Sequence, residues 1–427
     1  MKNTIKILVI LAFWFFDTGI KAQDRNVVWV HGFKSNDLFW QRYDNIFESE
    51  RKINGLRQSY NTTQGLSYAA NNVRNSMVVL PNGGANSPNN IGIGHSMGGL
   101  MVREVDRTSS RFGGLITVTA TNYGAPIANA IKDGSVYNSY TNACDKIKAG
   151  PLSEGFLLPW EIVVGLNSID LCKHFINKDF VDSMYGSPQT ITDLQTGSYA
   201  VNTVNNYSTT IPMISIWAEE NSPVHWRTVS SILYGNDMQL VNKVNDARGV
   251  YNAMMNYNQA RAVANSFWNP FLAAKYSYKA LQWKKGRDWI DDSETIWCSL
   301  IKTTRTEQQT YWAEVWVPCD PYPVLQSLEA LNVQPMIVAP DPDCGEWQWQ
   351  QRTRYVTVNY PSDGLLPQYT QQLQGIPVGN RYKIEGANHI EVGNMSNSSQ
   401  GDKTRDIFNE IFSRQDRDFF HTAKRGQ

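Results

Sequence analysis

The clearest candidate for a catalytic residue in this sequence is a serine with a glycine two residues before it and another two residues after it. Ser96 stands in a Gly-His-Ser-Met-Gly segment, residues 94–98. Asn90–Gly94 is predicted to be a strand, and Gly98–Asp106 has the apolar spacing of a helix. A sharp turn between such elements raises the serine hydroxyl off a sheet, and it needs glycine where a Cβ would strike neighbouring backbone. Ser96 is therefore the predicted nucleophile.

The base that activates this serine must be one of the six histidines, because a serine hydroxyl alone is a weak nucleophile. His389 follows the last predicted strand, Tyr382–Ile384, and precedes a closing helix predicted at Lys403–Ser413. Residues that follow parallel strands meet at one edge of a sheet, so His389 is the predicted base. The other histidines are less suitable. His31 lies in an early loop, and His95 is beside Ser96 but directed away from it. His174 and His225 lie in or beside insertions, and His421 lies in a polar tail.

A carboxylate is needed to orient the imidazole and to stabilise its charged form. Asp363 fits because it follows a predicted strand, Tyr355–Asn359, so that serine, acid and histidine occur in the expected chain order. Glu219 and Glu220 follow another predicted strand, Ile211–Trp217, and are the competing candidates.

Two backbone N–H groups are expected to meet the negative charge that develops on a carbonyl oxygen. Met97 supplies one because it directly follows the nucleophile. Phe33 supplies the other, from the loop after the first predicted strand, Asn26–Val30. The alternative is that His31 and Gly32 form a plain turn at the end of that strand. Acyl transfer by these groups requires no cofactor and no metal.

The elements that must position these residues alternate between strand and helix. This alternation predicts an α/β fold with a mostly parallel, twisted sheet covered by helices on both faces. Residues 23–427 are expected to form one such domain with two large insertions, a lid-like one at 126–192 and a helical, Trp-rich one at 227–352.

The second insertion is predicted to start with a helix over Leu240–Phe267 and to continue with another that stops at Gly286. Short strands are expected in its Trp-rich part, Thr295–Trp349. The first insertion contains an apolar group of residues that either covers the site as a lid, with transient contact to a lipid surface, or forms a small core of its own. These residues are Phe156, Leu157, Leu158, Trp160, Ile162 and Val163.

The N-terminus has the layout of a secretory signal peptide. Lys2 and Lys6 precede an apolar run, Ile7–Phe16. A polar segment then leads to a cleavage site near Ala22. The mature chain is therefore expected to be secreted or periplasmic, without a transmembrane segment. Lys plus Arg equals Asp plus Glu at 39 each, and no basic cluster stands beside aromatics, so nucleic acid is not an expected partner.

Five cysteines in an exported chain favour disulfides, and their spacing does not match a zinc site. Cys144 and Cys172 are expected to close one insertion. Two of Cys298, Cys319 and Cys344 are expected to close the other, which leaves one thiol unpaired. The alternative is that all five are small, buried apolar residues.

Six segments resemble those of bacterial-type lipases and esterases of the α/β-hydrolase superfamily. Residues 31–33 resemble the oxyanion loop, 94–99 the nucleophile elbow, and 362–364 with 388–389 the end of the triad. Residues 119–126 and 193–198 resemble the segments that flank a lipase lid. The resemblance implies hydrolysis of a small-molecule or lipid carboxylic ester. It extends from about Asn26 to Ser413 but omits Arg227–Arg352.

Two kinds of alternative function remain open. A thioesterase, amidase or peptidase would use the same groups, because triad and oxyanion hole do not reveal the leaving group. A secreted binding protein without catalysis would instead use the Trp-rich insertion as a glycan- or polymer-binding surface.

Overall fold

The structure is a computed structural model that describes residues 24–81, 88–154, 182, 185–318, 345–393, 399–415 and 418–426. The chain forms two compact units: residues 1–303 together with 360–427, and residues 304–359. The predicted signal peptide and the apolar group of the lid-like insertion lie outside the described residues.

Six parallel strands form the central sheet of the first unit, and two further strands form the second unit. The strands are β1 (Arg25–Val30), β2 (Ile53–Arg57), β3 (Asn90–His95), β4 (Gly114–Val118), β5 (Met213–Glu219), β6 (Thr304–Pro318), β7 (Gly345–Asn359) and β8 (Arg381–Glu385). The order in the sheet is β2-β1-β3-β4-β5-β8. The predicted α/β architecture is confirmed.

The helices cover this sheet and build the insertions. They are α1 (Gln41–Glu50), α2 (Leu66–Ser76), α3 (Met97–Ser109), α4 (Pro126–Lys132), α5 (Ser135–Glu154), α6 (Pro188–Leu194), α7 (Tyr199–Asn205), α8 (Val224–Tyr234), α9 (Gln239–Asn265), α10 (Pro270–Leu300), α11 (Gln368–Gln371) and α12 (Ser399–Phe412). Among the described helices, none is long and apolar enough to cross a membrane.

Both faces of the sheet are buried, as the apolar composition of its strands requires. In β1, Val28 and Val30 belong to one hydrophobic cluster, while Val27 and Trp29 belong to another. Alternate residues of a strand point to opposite faces, so each cluster fills one side of the sheet. Buried α3 contributes to the first cluster and α12 to the second. The edge where the strands end is therefore held rigidly from both sides.

Three helices pack closely around small residues in the region of the two insertions. A Cβ on Gly286 of α10 would lie 2.2 Å from the ring of Tyr251 in α9, and one on Gly150 of α5 would lie 2.7 Å from Trp283. The predicted stop at Gly286 is therefore wrong, because this glycine permits close helix packing inside a 31-residue helix. Glu154 of α5 joins the same three helices.

The carboxylate of Glu154 accepts hydrogen bonds from helices α9 and α10. Its Oε1 atom lies 2.7 Å from Asn258 Nδ2 and 2.9 Å from Trp283 Nε1, and Lys279 forms an ion pair with it. The described part of the lid-like insertion is thus fixed to the helices of the second insertion.

The second unit is an antiparallel hairpin of two 15-residue strands, β6 and β7. Tyr355–Asn359 was predicted to be a strand of the central sheet, and this is wrong, because it pairs with the start of β6. Its three consecutive β-branched residues, Val356–Val358, indicate a strand but not the sheet that it joins. In the described part of Thr295–Trp349, the strands are β6 and the start of β7, which are longer than the short strands predicted there.

The predicted disulfides are only partly covered by the structure. Cys172, Cys319 and Cys344 lie outside the described residues. Cys144 and Cys298 are not joined to each other. The two proposed pairings therefore remain predictions.

Candidate active site

Ser96 occupies the sharp turn between β3 and α3, at the edge where the strands end. Its φ of 57° is in the left-handed region, which is strained for a residue with a side chain. The turn is held by a hydrogen bond of 3.1 Å from its amide to Val118 O, and Thr121 N donates to its carbonyl at 3.2 Å. The serine is thus fixed at the carboxyl end of the sheet.

The two flanking glycines have no room for a side chain. A Cβ on Gly94 would lie 2.2 Å from the carbonyl oxygen of Gly98, and one on Gly98 would lie 2.5 Å from the carbonyl oxygen of Val30. Both contacts are with backbone, which cannot move aside as a flexible side chain can. The local sequence therefore requires glycine at both positions.

His389 lies between Ser96 and Asp363 and hydrogen-bonds to both. His389 Nε2 is 2.9 Å from Ser96 Oγ, and His389 Nδ1 is 2.7 Å from Asp363 Oδ2. All three side chains are buried. The structure thus brings together the predicted nucleophile, base and acid in one hydrogen-bonded chain, with the imidazole between the hydroxyl and the carboxylate.

The Asp363 carboxylate is fixed by backbone donors on its second oxygen. Asp363 Oδ1 accepts from Leu365 N at 3.0 Å and from Leu366 N at 2.7 Å. The carbonyl of Asp363 accepts from His389 N at 2.8 Å, so acid and histidine are also joined through their backbones. These bonds leave Oδ2 for the imidazole.

The loop of Asp363 lies at the end of β5, not at the end of a strand of its own in the central sheet. Glu220 N donates to Ser362 O at 2.7 Å, and Trp297 Nε1 of α10 donates to Gly364 O at 2.7 Å. The prediction placed Asp363 after a sheet strand, and that premise is wrong. The chain instead leaves the sheet after β5 and returns to the same place with Asp363.

The competing acids lie nearby but do not bond to His389. Glu219 is half-exposed and pairs with Lys383 at 2.6 Å. Glu220 is buried, and Thr228 Oγ1 donates to its Oε2 at 2.5 Å. Burial raises the pKa of Glu220 well above its ordinary value, and the nearby Glu391 and Asp363 carboxylates act in the same direction, whereas Thr228 and Arg227 oppose it.

His95 lies against His389, a contact that the sequence interpretation did not foresee. His95 Nε2 is 2.8 Å from the carbonyl oxygen of His389, and the two ring centroids are 4.7 Å apart. Phe39 stacks on the ring of His95 at 4.3 Å between centroids. Burial holds the pKa of His95 well below its ordinary value, so the ring is neutral and its Nε2–H donates to the carbonyl.

Of the two predicted oxyanion donors, Phe33 lines the same cavity as Ser96, and Met97 directly follows Ser96 in the chain. Met97 is the first residue of α3, so its amide has no intrahelical acceptor, and the helix dipole favours negative charge there. Phe33 follows Gly32, at which a Cβ would lie 2.7 Å from Ser96 Cβ. Within the described residues, neither amide donates a hydrogen bond to a backbone carbonyl.

A cavity of about 270 Å³ opens beside Ser96 and His389. Most of its lining side chains are apolar, and they come from the loop after β1, from both insertions and the residues that flank the first one, and from the loops of Asp363 and His389. They are Phe33, Phe39, Ala125, Ile127, Leu194, Ile232, Leu365, Leu366 and Ile390. The insertions therefore shape the space in which a substrate would lie.

The parallel sheet covered on both faces and the strained serine turn between β3 and α3 are those of the α/β-hydrolase fold. The fold of this chain is therefore the α/β-hydrolase fold. No protein-family model matches the sequence, and no curated protein matches it either.

Solved structures with this fold are similar to the chain at low identity. An extracellular α/β-hydrolase from a Paenibacillus species is 15% identical, with 45% of this chain and 76% of that chain covered and a TM-score of 0.26. A lipase-esterase related protein from Clostridium acetobutylicum is 14% identical over 54% and 94%, with a TM-score of 0.26. The epoxide hydrolase of Bacillus megaterium is 12% identical over 49% and 82%, with a TM-score of 0.23. The sheet order and the serine turn, not these low scores, define the fold.

Proposed function

We propose that the protein is a secreted serine hydrolase that cleaves carboxylic esters through an acyl-enzyme. Ser96 is the nucleophile, His389 the general base and acid, and Asp363 the residue that orients the imidazole. The amides of Met97 and Phe33 stabilise the oxyanion. The observation that carries the proposal is the hydrogen-bonded chain Ser96–His389–Asp363, with distances of 2.9 Å and 2.7 Å.

The reaction proceeds in two halves. Ser96 Oγ attacks the ester carbonyl while His389 Nε2 accepts its proton, and His389 then protonates the leaving alcohol. Water attacks the acyl-enzyme, with His389 again as the base, and the acid is released. Asp363 orients the imidazole and stabilises the imidazolium in both halves, while two backbone amides hold its second oxygen in place.

The cavity beside Ser96 favours small apolar esters. Its volume of about 270 Å³ lies near the lower end of ordinary ligand sites. We therefore expect short acyl chains to be cleaved faster than long ones. A comparison of kcat/KM over p-nitrophenyl esters of increasing chain length measures this preference.

Labelling by a fluorophosphonate tests the proposed nucleophile directly. The reagent should modify the wild type at Ser96, and Ser96→Ala should lose both the label and the ester hydrolysis. Ser110→Ala is a matched control because Ser110 also has a positive φ, of 48°, but lies at the far end of α3. A folded wild type that is not labelled would overturn the proposal.

The leaving group is tested separately from the nucleophile. Acyl thioesters, anilides and short peptides are offered to the wild type beside esters of the same acyl group. A higher kcat/KM for one of these would assign the site to a thioesterase, amidase or peptidase instead.

N-terminal sequencing of protein recovered from outside the cytoplasm tests cleavage near Ala22.

A further inference from the structure

The hairpin β6–β7 presents its tryptophans on a single face. In the antiparallel register, Trp316 lies opposite Trp347 and Glu314 lies opposite Trp349. Directly opposed residues share a face, and so do residues two apart along one strand. One face of the hairpin therefore carries the aromatic side chains Trp312, Trp316, Trp347, Trp349 and Tyr355, here called the aromatic face.

The aromatic face is the exposed face of the hairpin. Trp312, Trp347 and Trp349 are each 64% exposed, and Tyr355 is 76% exposed. The opposite face contains the half-buried positions, which include the aliphatic residues Ala313, Val315, Val317, Val356 and Val358. This arrangement reverses the usual one, in which the larger apolar side chains are buried and the smaller ones are exposed. Packing of the hairpin therefore does not explain why these large aromatic side chains are exposed to solvent.

Charge is distributed between the two faces as unevenly as the aromatic side chains. The aromatic face carries a single charged residue, Glu314, and its other side chains are mainly the hydroxyls and amides of Thr and Gln. All cations of the two strands lie on the opposite face, namely Arg305, Arg352 and Arg354. An anionic membrane or a nucleic acid would require cations beside the aromatic rings. The expected ligand is therefore neutral.

The composition of the aromatic face also distinguishes a sugar polymer from a lipid bilayer. Within the two described strands its one aliphatic residue is Pro318 at the end of β6, whereas the alanine and all the valines lie on the opposite face, so little of this face could enter an acyl layer. Flat indole rings with hydroxyl and amide groups between them match a pyranose, which has an apolar C–H face and a rim of hydroxyls. The geometry points to a binding site for a neutral polysaccharide on the aromatic face of the β6–β7 hairpin.

The spacing of the rings fits an extended chain better than a single sugar. Trp312, Trp349 and the pair Trp316 and Trp347 occupy three successive levels of the ladder, with about 7 Å between levels. The ring centroids of Trp316 and Trp347 are 5.7 Å apart and the ring planes are inclined at 65°, so these two rings contact each other edge to face and do not form one flat surface. Several rings can thus stack on consecutive sugar units, and their small contributions combine.

Affinity electrophoresis in native gels tests this site without reference to hydrolysis. Ser96→Ala protein is run with and without hydroxyethylcellulose, xylan, galactomannan or soluble starch, so that no sugar ester is cleaved during the measurement. At least one of these neutral polysaccharides should retard the protein. The inference does not depend on the proposed enzymatic function, because retardation requires no chemistry at Ser96.

The matched variants place the binding on one face. Trp347→Ala/Trp349→Ala should raise the apparent Kd at least about tenfold. Tyr311→Ala removes an aromatic ring from the opposite face, where Arg354 covers it at 5.2 Å, and should leave the Kd within about twofold. Thermal unfolding of both variants checks that the fold is retained.

Three outcomes would overturn the inference. The first is that none of the four polysaccharides retards the protein. The second is that Tyr311→Ala weakens binding as much as the tryptophan pair does. The third is that phosphatidylcholine vesicles, offered in a flotation assay, bind the protein through Trp347 and Trp349 while the polysaccharides do not, which would make the aromatic face a lipid-binding surface.

Discussion

The amide of Glu220 donates a hydrogen bond of 2.7 Å to the carbonyl oxygen of Ser362, which joins the end of β5 to the loop of Asp363. All residues of the second insertion lie between these two positions. The loop of Asp363, the acid of the proposed triad, is therefore held at the sheet by a hydrogen bond from the end of β5. It is not positioned by β7, the strand that precedes it in sequence. The side chain of Glu220 lies beside the same loop, since a Cβ on Gly364 would be 2.1 Å from its Oε2.

Asp363→Asn should lower kcat for ester hydrolysis about 10⁴-fold, because an amide favours the wrong imidazole tautomer. The amide oxygen can still accept from Leu365 and Leu366, so the fold should be retained. Glu219→Gln is the control, since Glu219 follows β5 but pairs with Lys383 at the surface, and its kcat should be unchanged. The reverse result would assign the role of the acid to Glu219.

Glu220→Gln should change the pH dependence of stability. Burial raises the pKa of Glu220 well above 4.5, so the native state favours the protonated form. The stability from such a group is complete below its unfolded pKa and is lost as the pH rises through its native pKa. Melting temperatures measured from about pH 5 upward should therefore fall more steeply for the wild type than for Glu220→Gln. Parallel curves would show that Glu220 is already ionised in the native protein.

Gly32→Ala should impair hydrolysis far more than it impairs folding. The added methyl group would lie 2.7 Å from Ser96 Cβ and 3.2 Å from Ser96 Oγ, so the nucleophile must move. We expect a loss of about 100-fold in kcat/KM. Gly379→Ala, where a Cβ meets nothing within 4 Å, is the control and should retain full activity. Equal activity of the two variants would contradict the close approach of this loop to Ser96.

Gly286→Ala should destabilise the protein although alanine is the better helix former. Its methyl group would lie 2.2 Å from the ring of Tyr251, and overpacking of this kind costs about 1–3 kcal/mol. Gly249→Ala in α9 meets nothing within 4 Å and should stabilise the protein by about 0.5–1 kcal/mol. Denaturant unfolding of both variants measures these opposite signs. A stabilised Gly286→Ala would show that α9 and α10 are packed less closely.

The parts of the site that depend on short sequence patterns could be predicted from the sequence. The glycines on either side of Ser96 form a short pattern that indicates the sharp turn, and the strand and helix beside it follow from the apolar pattern. The position of His389 after the last strand follows from the topology of parallel sheets. None of these inferences requires a distant contact.

The parts that depend on distant contacts could not be predicted. The pattern at Tyr355–Asn359 indicates a strand, but pairing with Thr304–Gln308 decides which sheet it joins. Helix α10 continues through Gly286, where Tyr251 of another helix packs against it. Helix propensity describes single residues and does not include such a packing contact. The burial of Glu220 and the contact of His95 with His389 likewise arise only when separate segments meet.

The second unit leaves the first and returns to it at neighbouring backbone atoms. Tyr360 N donates to Thr303 O at 2.8 Å, so the two ends of the first unit already meet where residues 304–359 depart. A short turn could join these ends without stretching either one. The first unit can therefore keep its own chain path whether or not residues 304–359 are inserted between Thr303 and Tyr360.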